Sequence, residues 1–385
     1  MSKLIAFADE IYKNGGYYDV SPIGELIDIS GKTAFLEKKL FDSSEVKRAK
    51  ANLYSHDDNF INNINNLYDV INTTNSKCSA SYAIKLKDVI IHDNILYVKY
   101  GNEYREFYYT SRPNDAPHAR HLSQEEINSA AKRTINCSDS EIIYFGGVGG
   151  FNYGHFLIDD LAKVKYIRES DVPVTILMQS YGKIDCVKVD AISNFTPNHN
   201  NSFKFILPGE VVYCPEITYI CPISFHPYTK NLNAINYVKE MCKDEIGDSQ
   251  KCNRRIFVGR SQKMGRNIAN LKQLLPIIKE YDFEIIEPEK HSFRAQLKMF
   301  QEAEIVVGIM GAAMCNTIFA PTNLKTIYLA PNEWVEPFYW DLAASMGHEY
   351  NVIYGQRRYD NELAHFDNFE IDPSILQYEI EKAIS

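Results

Sequence analysis

The chain has 385 residues, with 41 basic against 50 acidic side chains and a net charge of −9. At roughly 100 to 200 residues per domain this length makes two or three domains with sizeable cores. A content of 45% hydrophobic, 24% charged and 12% aromatic residues excludes disorder and fibrous repeats. The acidic balance repels a polyanion and no basic patch offsets it, so nucleic acid is not expected as a partner.

The eight cysteines form no Cys-x-x-Cys pair and no Cys/His cluster with zinc spacing. A reducing, cytoplasmic location is the simplest expectation, with peripheral attachment at the inner face of a membrane left open. After Lys3, five apolar residues precede Asp9, too few for a signal-peptide core. No run reaches the roughly 18 apolar residues of a membrane span.

In chain order, the first 75 residues carry no clear periodicity. Ala83 to Tyr109 alternates as antiparallel strands do, with Asp93-Asn94 as a turn. A looser α/β alternation follows: strand Glu141 to Phe145, helix Tyr153 to Glu169, strand Val172 to Met178, helix Cys186 to Phe195 and strand Phe203 to Leu207. Asn231 to Ile246 reads as a helix joining two halves.

Beyond Arg254 the pattern is sharper. Short β-branched runs at Arg255 to Arg260, Phe283 to Glu287, Glu304 to Ile309, Lys325 to Ala330 and Asn351 to Tyr354 alternate with helical periodicity. Leu271, Leu274, Leu275 and Ile278 mark the first helix, and Phe293, Leu297 and Phe300 the second, with Ser292 as N-cap. Ala312 to Phe319 and Pro337 to Met346 are the third and fourth, and Pro373 to Ile384 closes the chain. This predicts an α/β fold of two facing Rossmann-like domains, 1–230 and 231–385, with ligands bound in the cleft between them at the carboxyl ends of the strands.

Three constellations carry candidate chemistry. The first is the glycine-rich run Gly146 to Asp160, containing Gly149, Gly150, Asn152 and Tyr153. Backbone can approach a ligand closely there, and a helix start would offer N–H groups to an anion. His155 and Asp159, four apart on one helix face, can act as an imidazole with an orienting carboxylate; the same residues also suit a tight turn with a locally packed histidine. The second is Arg260-Ser261 with Arg266 and Asn270, where two guanidiniums can hold phosphate oxygens. The third is Gly308 to Asn316, where Gly311, Ala312 and Ala313 leave room for a bulky group over a helix N-terminus. Glu289 and Gln296 are candidates for ribose or sugar contacts, or plain surface residues.

In this order the constellations resemble glycosyltransferase family 61, an inverting family with the GT-B architecture. Its signature Asn-Tyr-x-His-Trp-Leu-x-Asp is matched by Asn152, Tyr153, His155, Leu157 and Asp159, with Phe156 for tryptophan. The second signature is matched by Arg260, Ser261, Arg266, Ile268 and Asn270, and the third by Pro288, Glu289, Ser292, Phe293 and Gln296. In the fourth, Gly308, Gly311, Ala312 and Asn316 fit while Met310 replaces a histidine. The resemblance spans about 140 to 355.

The resemblance implies a metal-independent glycosyltransferase moving a sugar from a nucleotide donor, UDP-linked in the simplest case, onto a hydroxyl of a capsular, lipopolysaccharide or other glycan or glycolipid acceptor. No separate cofactor is implied. The C-terminal half would bind the donor through Arg260, Ser261, Arg266, Asn270, Glu289, Gln296, Gly311, Ala312, Ala313 and Asn316. The N-terminal half would bind the acceptor near Gly149, Gly150, Asn152 and Tyr153, with Asp159 or His155 as base. A nucleotide-sugar epimerase and a non-catalytic binding subunit, the latter suggested by Met310, are the alternatives.

Overall fold

The computed structural model describes residues 34–71, 76–78, 80–108, 120–147, 149–197, 199–221, 223–225, 229–246, 252–261 and 265–385. The residues read for a signal peptide, Tyr109 and Val148 lie outside them. By its contacts the chain divides into two units, one of residues up to Ser44 with Lys77–Tyr237, the other of Glu45–Ser76 with Val238–Ser385. The division falls within the helix Leu232–Ile246 rather than between 230 and 231, and Glu45–Ser76 belongs with the C-terminal residues. No described helix is long and apolar enough to cross a membrane.

The first unit is built on a mixed sheet, nine-stranded among the described residues. Strands Asn201–Ile206, Val174–Gln179, Glu141–Tyr144 and Val212–Ile220 lie side by side and parallel. Ser81–His92 then joins antiparallel, followed by Ile95–Tyr100 and Glu103–Tyr108. Asp93 (φ 44°) and Asn94 (φ 65°) make the tight left-handed turn that the sequence predicts. Val212–Ile220 was not predicted, because Pro215 and Glu216 interrupt its apolar run. It nevertheless sits mid-sheet, with Val212, Cys214, Ile217 and Tyr219 in a core shared with Leu86, Val89, Ile142 and Leu177.

The second unit follows its predicted pattern closely. Glu284–Ile286, Arg254–Val258, Ala303–Ile309, Lys325–Pro331 and Glu349–Arg357 form a parallel sheet in that order. Short strands Phe369–Glu370, antiparallel, and Asn52–Tyr54, parallel, pair with Glu349–Arg357. Ile305, Val306 and Val307 are all buried, as a central strand covered by helices on both faces requires. Each such side chain contributes about 1.5 to 3 kcal/mol on burial. Helices Leu271–Glu280, Phe293–Gln301, Pro337–Met346 and Pro373–Ile384 stand where expected, and the Ser292 hydroxyl caps the second by accepting from Ala295 N at 3.3 Å. A parallel sheet with helical crossovers is compatible with a Rossmann-like fold.

Candidate active site

The predicted helix Tyr153 to Glu169 is not continuous. One α-turn, Tyr153–His155, gives way to a π-turn over Phe156–Asp160, a 3₁₀ turn over Leu161–Lys163, and an α-helix only from Val164 to Arg168. π-turns are rare and recur at functional sites. Here the widened turn buries two successive carboxylates, Asp159 and Asp160. The glycine turn before it is closed by its own hydrogen bonds. Gly150 N donates to Gly147 O at 3.2 Å and Asn152 N to Gly149 O at 2.7 Å, while the Asn152 side chain caps Gly154 N at 2.8 Å. Tyr153 is half-buried in the first turn.

The two carboxylates have opposite surroundings. Asp159 accepts from His155 Nδ1 at 2.8 Å and from the Ser224 hydroxyl. Burial raises its pKa, but His155, Ser224 and the charge of Lys230 outweigh that and hold the carboxyl below the usual range. Ser224 and Lys230 face each other across the strand pair Ser224–Phe225 and Thr229–Lys230, so one short hairpin supplies both. Asp160 is pushed above the usual range, chiefly by burial, despite an ion pair with Lys163 at 2.5 Å. The Lys163 ammonium also donates to Gly146 O at 2.7 Å, tying the glycine turn to the π-turn. Ser224 and Lys230 carry no sequence signal, lying in no periodic run and near no recognisable motif, while Lys163 stands within the predicted helix just past the first constellation without being singled out.

In the second unit the two arginines do converge. A side chain on Gly311 would place its Cβ 2.9 Å from Arg260 Nη1 and 3.5 Å from Arg266 Nη1, so both guanidiniums lie against this turn and any larger residue would push the Arg260 tip aside. Arg260 Nε donates to Gly265 O at 3.0 Å, and Arg266 Nη1 to Met310 O at 2.5 Å. Arg266 adopts φ 53°, a left-handed conformation that costs a non-glycine residue about 1 to 3 kcal/mol and is typical of functional sites. Its guanidinium stacks 3.9 Å from the Trp334 ring centre, and its Nε is held by the His365 carbonyl. Burial lowers Arg260 somewhat and Arg266 to about 10, with Tyr339 opposing in both cases. Both remain cationic at neutral pH. Trp334 and Tyr339 were not singled out from sequence, although Trp334 is one of only two tryptophans.

The remaining predicted donor residues divide. Ser261, Ala312 and Ala313 are half-exposed beside the arginines in sequence, and Ala312–Phe319 is 3₁₀ rather than α. Glu289 is exposed and its charge reaches Arg260. Gln296 and Asn316, by contrast, are buried and bonded to each other at 2.9 Å, with Gln296 also donating to His291 O at 3.1 Å. They link the second helix to the 3₁₀ turn. Asn270 is likewise structural: it donates to Ile371 O at 2.7 Å and accepts from Ile371 N at 3.0 Å. Met310 is fully buried, and its backbone carbonyl, which any residue would carry, is what meets Arg266.

A family model described as Glycosyltransferase 61 matches residues 153–327. The chain carries a glycosyltransferase 61 domain. The matched span runs from the α-turn that bears His155 through both arginines and the Gly311 turn, so it includes His155 and Asp159 of the first unit and the candidate residues of the second, while Gly149, Gly150 and Asn152 lie just before it. No curated protein matches the chain. Among the described residues no three His, Cys, Asp or Glu side chains gather as metal ligands.

Proposed function

We propose that this glycosyltransferase 61 domain catalyses an inverting, metal-independent transfer of a sugar from a nucleotide donor, UDP-linked in the simplest case, to a hydroxyl of a surface polysaccharide or other glycan. The second unit would act as the donor half and the first as the acceptor half of a GT-B enzyme, working on a glycan or glycolipid on the cytoplasmic side of the membrane. The observation that carries this reading is the His155–Asp159 pair at 2.8 Å inside a glycosyltransferase 61 domain.

Both Asp159 oxygens are engaged and the carboxyl is held acidic, which makes it a poor base and a good partner for an imidazolium. His155 is therefore the base. With Nδ1 donating to Asp159, Nε2 of the neutral ring accepts the proton of the acceptor hydroxyl. That oxygen forms a bond to the anomeric carbon from the face opposite the leaving group, and the bond from carbon to the diphosphate oxygen breaks with its electron pair. The negative charge developing on the diphosphate is met by Arg260 and Arg266, whose positions are fixed in advance by backbone carbonyls. Incubating the full chain with a panel of nucleotide sugars and glycan acceptors in EDTA tests the reading. Transfer of the sugar supports it, and donor epimerisation without an acceptor would replace it.

A further inference from the structure

Lys188 lies on the helix Lys183–Phe195 of the first unit, outside every motif described above. It is only 4% exposed, yet among the described residues it donates no hydrogen bond and forms no ion pair. Its ammonium stands 5.0 Å from the centre of the Tyr181 ring. A Cβ at Gly150 would stand 3.6 Å from that ammonium and 3.7 Å from the same ring, so both lie in contact range beside Gly150 of the glycine turn. The ring itself is fixed: Tyr181 N donates to Asp185 Oδ1 at 2.9 Å, and its hydroxyl meets the Asn94 amide, whose oxygen accepts from Tyr144 at 2.9 Å.

The charges facing Lys188 do not satisfy it. Asp160 and Asp185 attract the ammonium from beyond contact distance and Lys163 repels it. Asp160 is already paired with Lys163, and Asp185 already accepts from the Ser180 hydroxyl and the Tyr181 and Gly182 amides. A cation on a buried side chain with an aromatic ring beside it but no hydrogen bond or ion pair is costly, and burial accordingly pushes Lys188 below its ordinary value. An incoming anion would remove that cost.

We propose that Lys188 recognises an acidic group of the acceptor glycan, a carboxylate or a phosphate, seated over Gly150 with the sugar against the Tyr181 ring. This rests on the reading of the first unit as the acceptor half. It makes the favoured acceptor an acidic sugar, a uronic acid or a sugar phosphate, and makes Lys188 a specificity-determining residue.

Calorimetry on the full chain with glucuronate, glucose 6-phosphate and glucose tests this, using wild type, Lys188→Met and Lys188→Arg. The Met variant keeps the apolar stem over Tyr181, and UDP affinity reports that each variant is folded. Glucuronate or the sugar phosphate should bind more tightly than glucose, whichever is tighter naming the acid, and Lys188→Met should weaken that ligand by about ten-fold or more. Lys188→Arg should restore much of the loss. Equal affinity for acid and neutral sugars, or equal acid affinity in wild type and Lys188→Met, would overturn the proposal. Transfer to neutral acceptors with no effect of Lys188→Met would sink it while leaving the glycosyltransferase reading intact. Lys188-dependent acid binding without transfer from any nucleotide sugar would do the reverse.

Discussion

The two units hold their charged residues in opposite ways. In the first, the candidate residues sit on an irregular π-turn and are buried carboxylates, one acidified by His155 and Ser224, the other raised by burial against Lys163. In the second they are guanidiniums in the segment between the strand Arg254–Val258 and the helix Leu271–Glu280, anchored by main-chain carbonyls. The first arrangement adjusts proton affinity; the second fixes positive charge in space. A group-transfer enzyme needs both, one for the attacking hydroxyl and one for the departing anion.

The largest effect should come from breaking the proton-handling pair. His155→Ala and Asp159→Asn should each lower turnover by roughly 100- to 10,000-fold, with UDP affinity unchanged by calorimetry. If turnover per folded molecule stays near wild type, the pair is structural and the contrast between the units collapses. Asp160→Ala should act on stability instead. It strands Lys163 in the interior, and urea denaturation should show a loss of about 3 to 5 kcal/mol.

A third test separates the units by pH. His348, in the second unit, is buried with Nε2 against Pro321 O at 2.9 Å and is pushed down from 6.5 to about 3. The unfolded chain takes up this proton below pH 6.5 while the folded chain does not, so stability should fall as pH drops from 6.5 towards 3. One proton corresponds to a slope of at most about 1.4 kcal/mol per pH unit. His348→Gln should flatten that part of the stability profile in acid urea titrations. The first unit's Asp159 gives the same direction only lower, below the ordinary aspartate range, because its carboxyl is lowered. Smallest of all, Arg260→Ala should weaken UDP binding by about 1.5 to 3 kcal/mol, as for a charge-assisted hydrogen bond. Unchanged affinity would remove Arg260 from the site.

The second unit was far more legible than the first, for physical reasons. Parallel strands buried on both faces write continuous apolar runs such as Glu304 to Ile309, and the helices between them carry a full amphipathic period. Asn52–Tyr54 escaped because three residues carry no periodicity and its partner lies some three hundred positions away. In the first unit Pro215 hid a central strand, and the π-turn broke a helix whose composition looked continuous. Among site residues, the spacing of His155 and Asp159 and the convergence of Arg260 and Arg266 at Gly311 were readable. That Gln296, Asn316 and Asn270 brace the fold was not, since a buried amide pair and a ligand-binding amide have the same sequence. Ser224 and Lys230 reach Asp159 in the first unit, and Trp334 and Tyr339 reach the arginines in the second, from segments without a motif.

The most direct measurement is a transfer assay with the anomeric configuration of the product read by NMR, on wild type and His155→Ala with matched UDP affinities. The account predicts a product of inverted configuration in the wild type and its loss in the variant. Retained configuration, or undiminished transfer by His155→Ala, would contradict it.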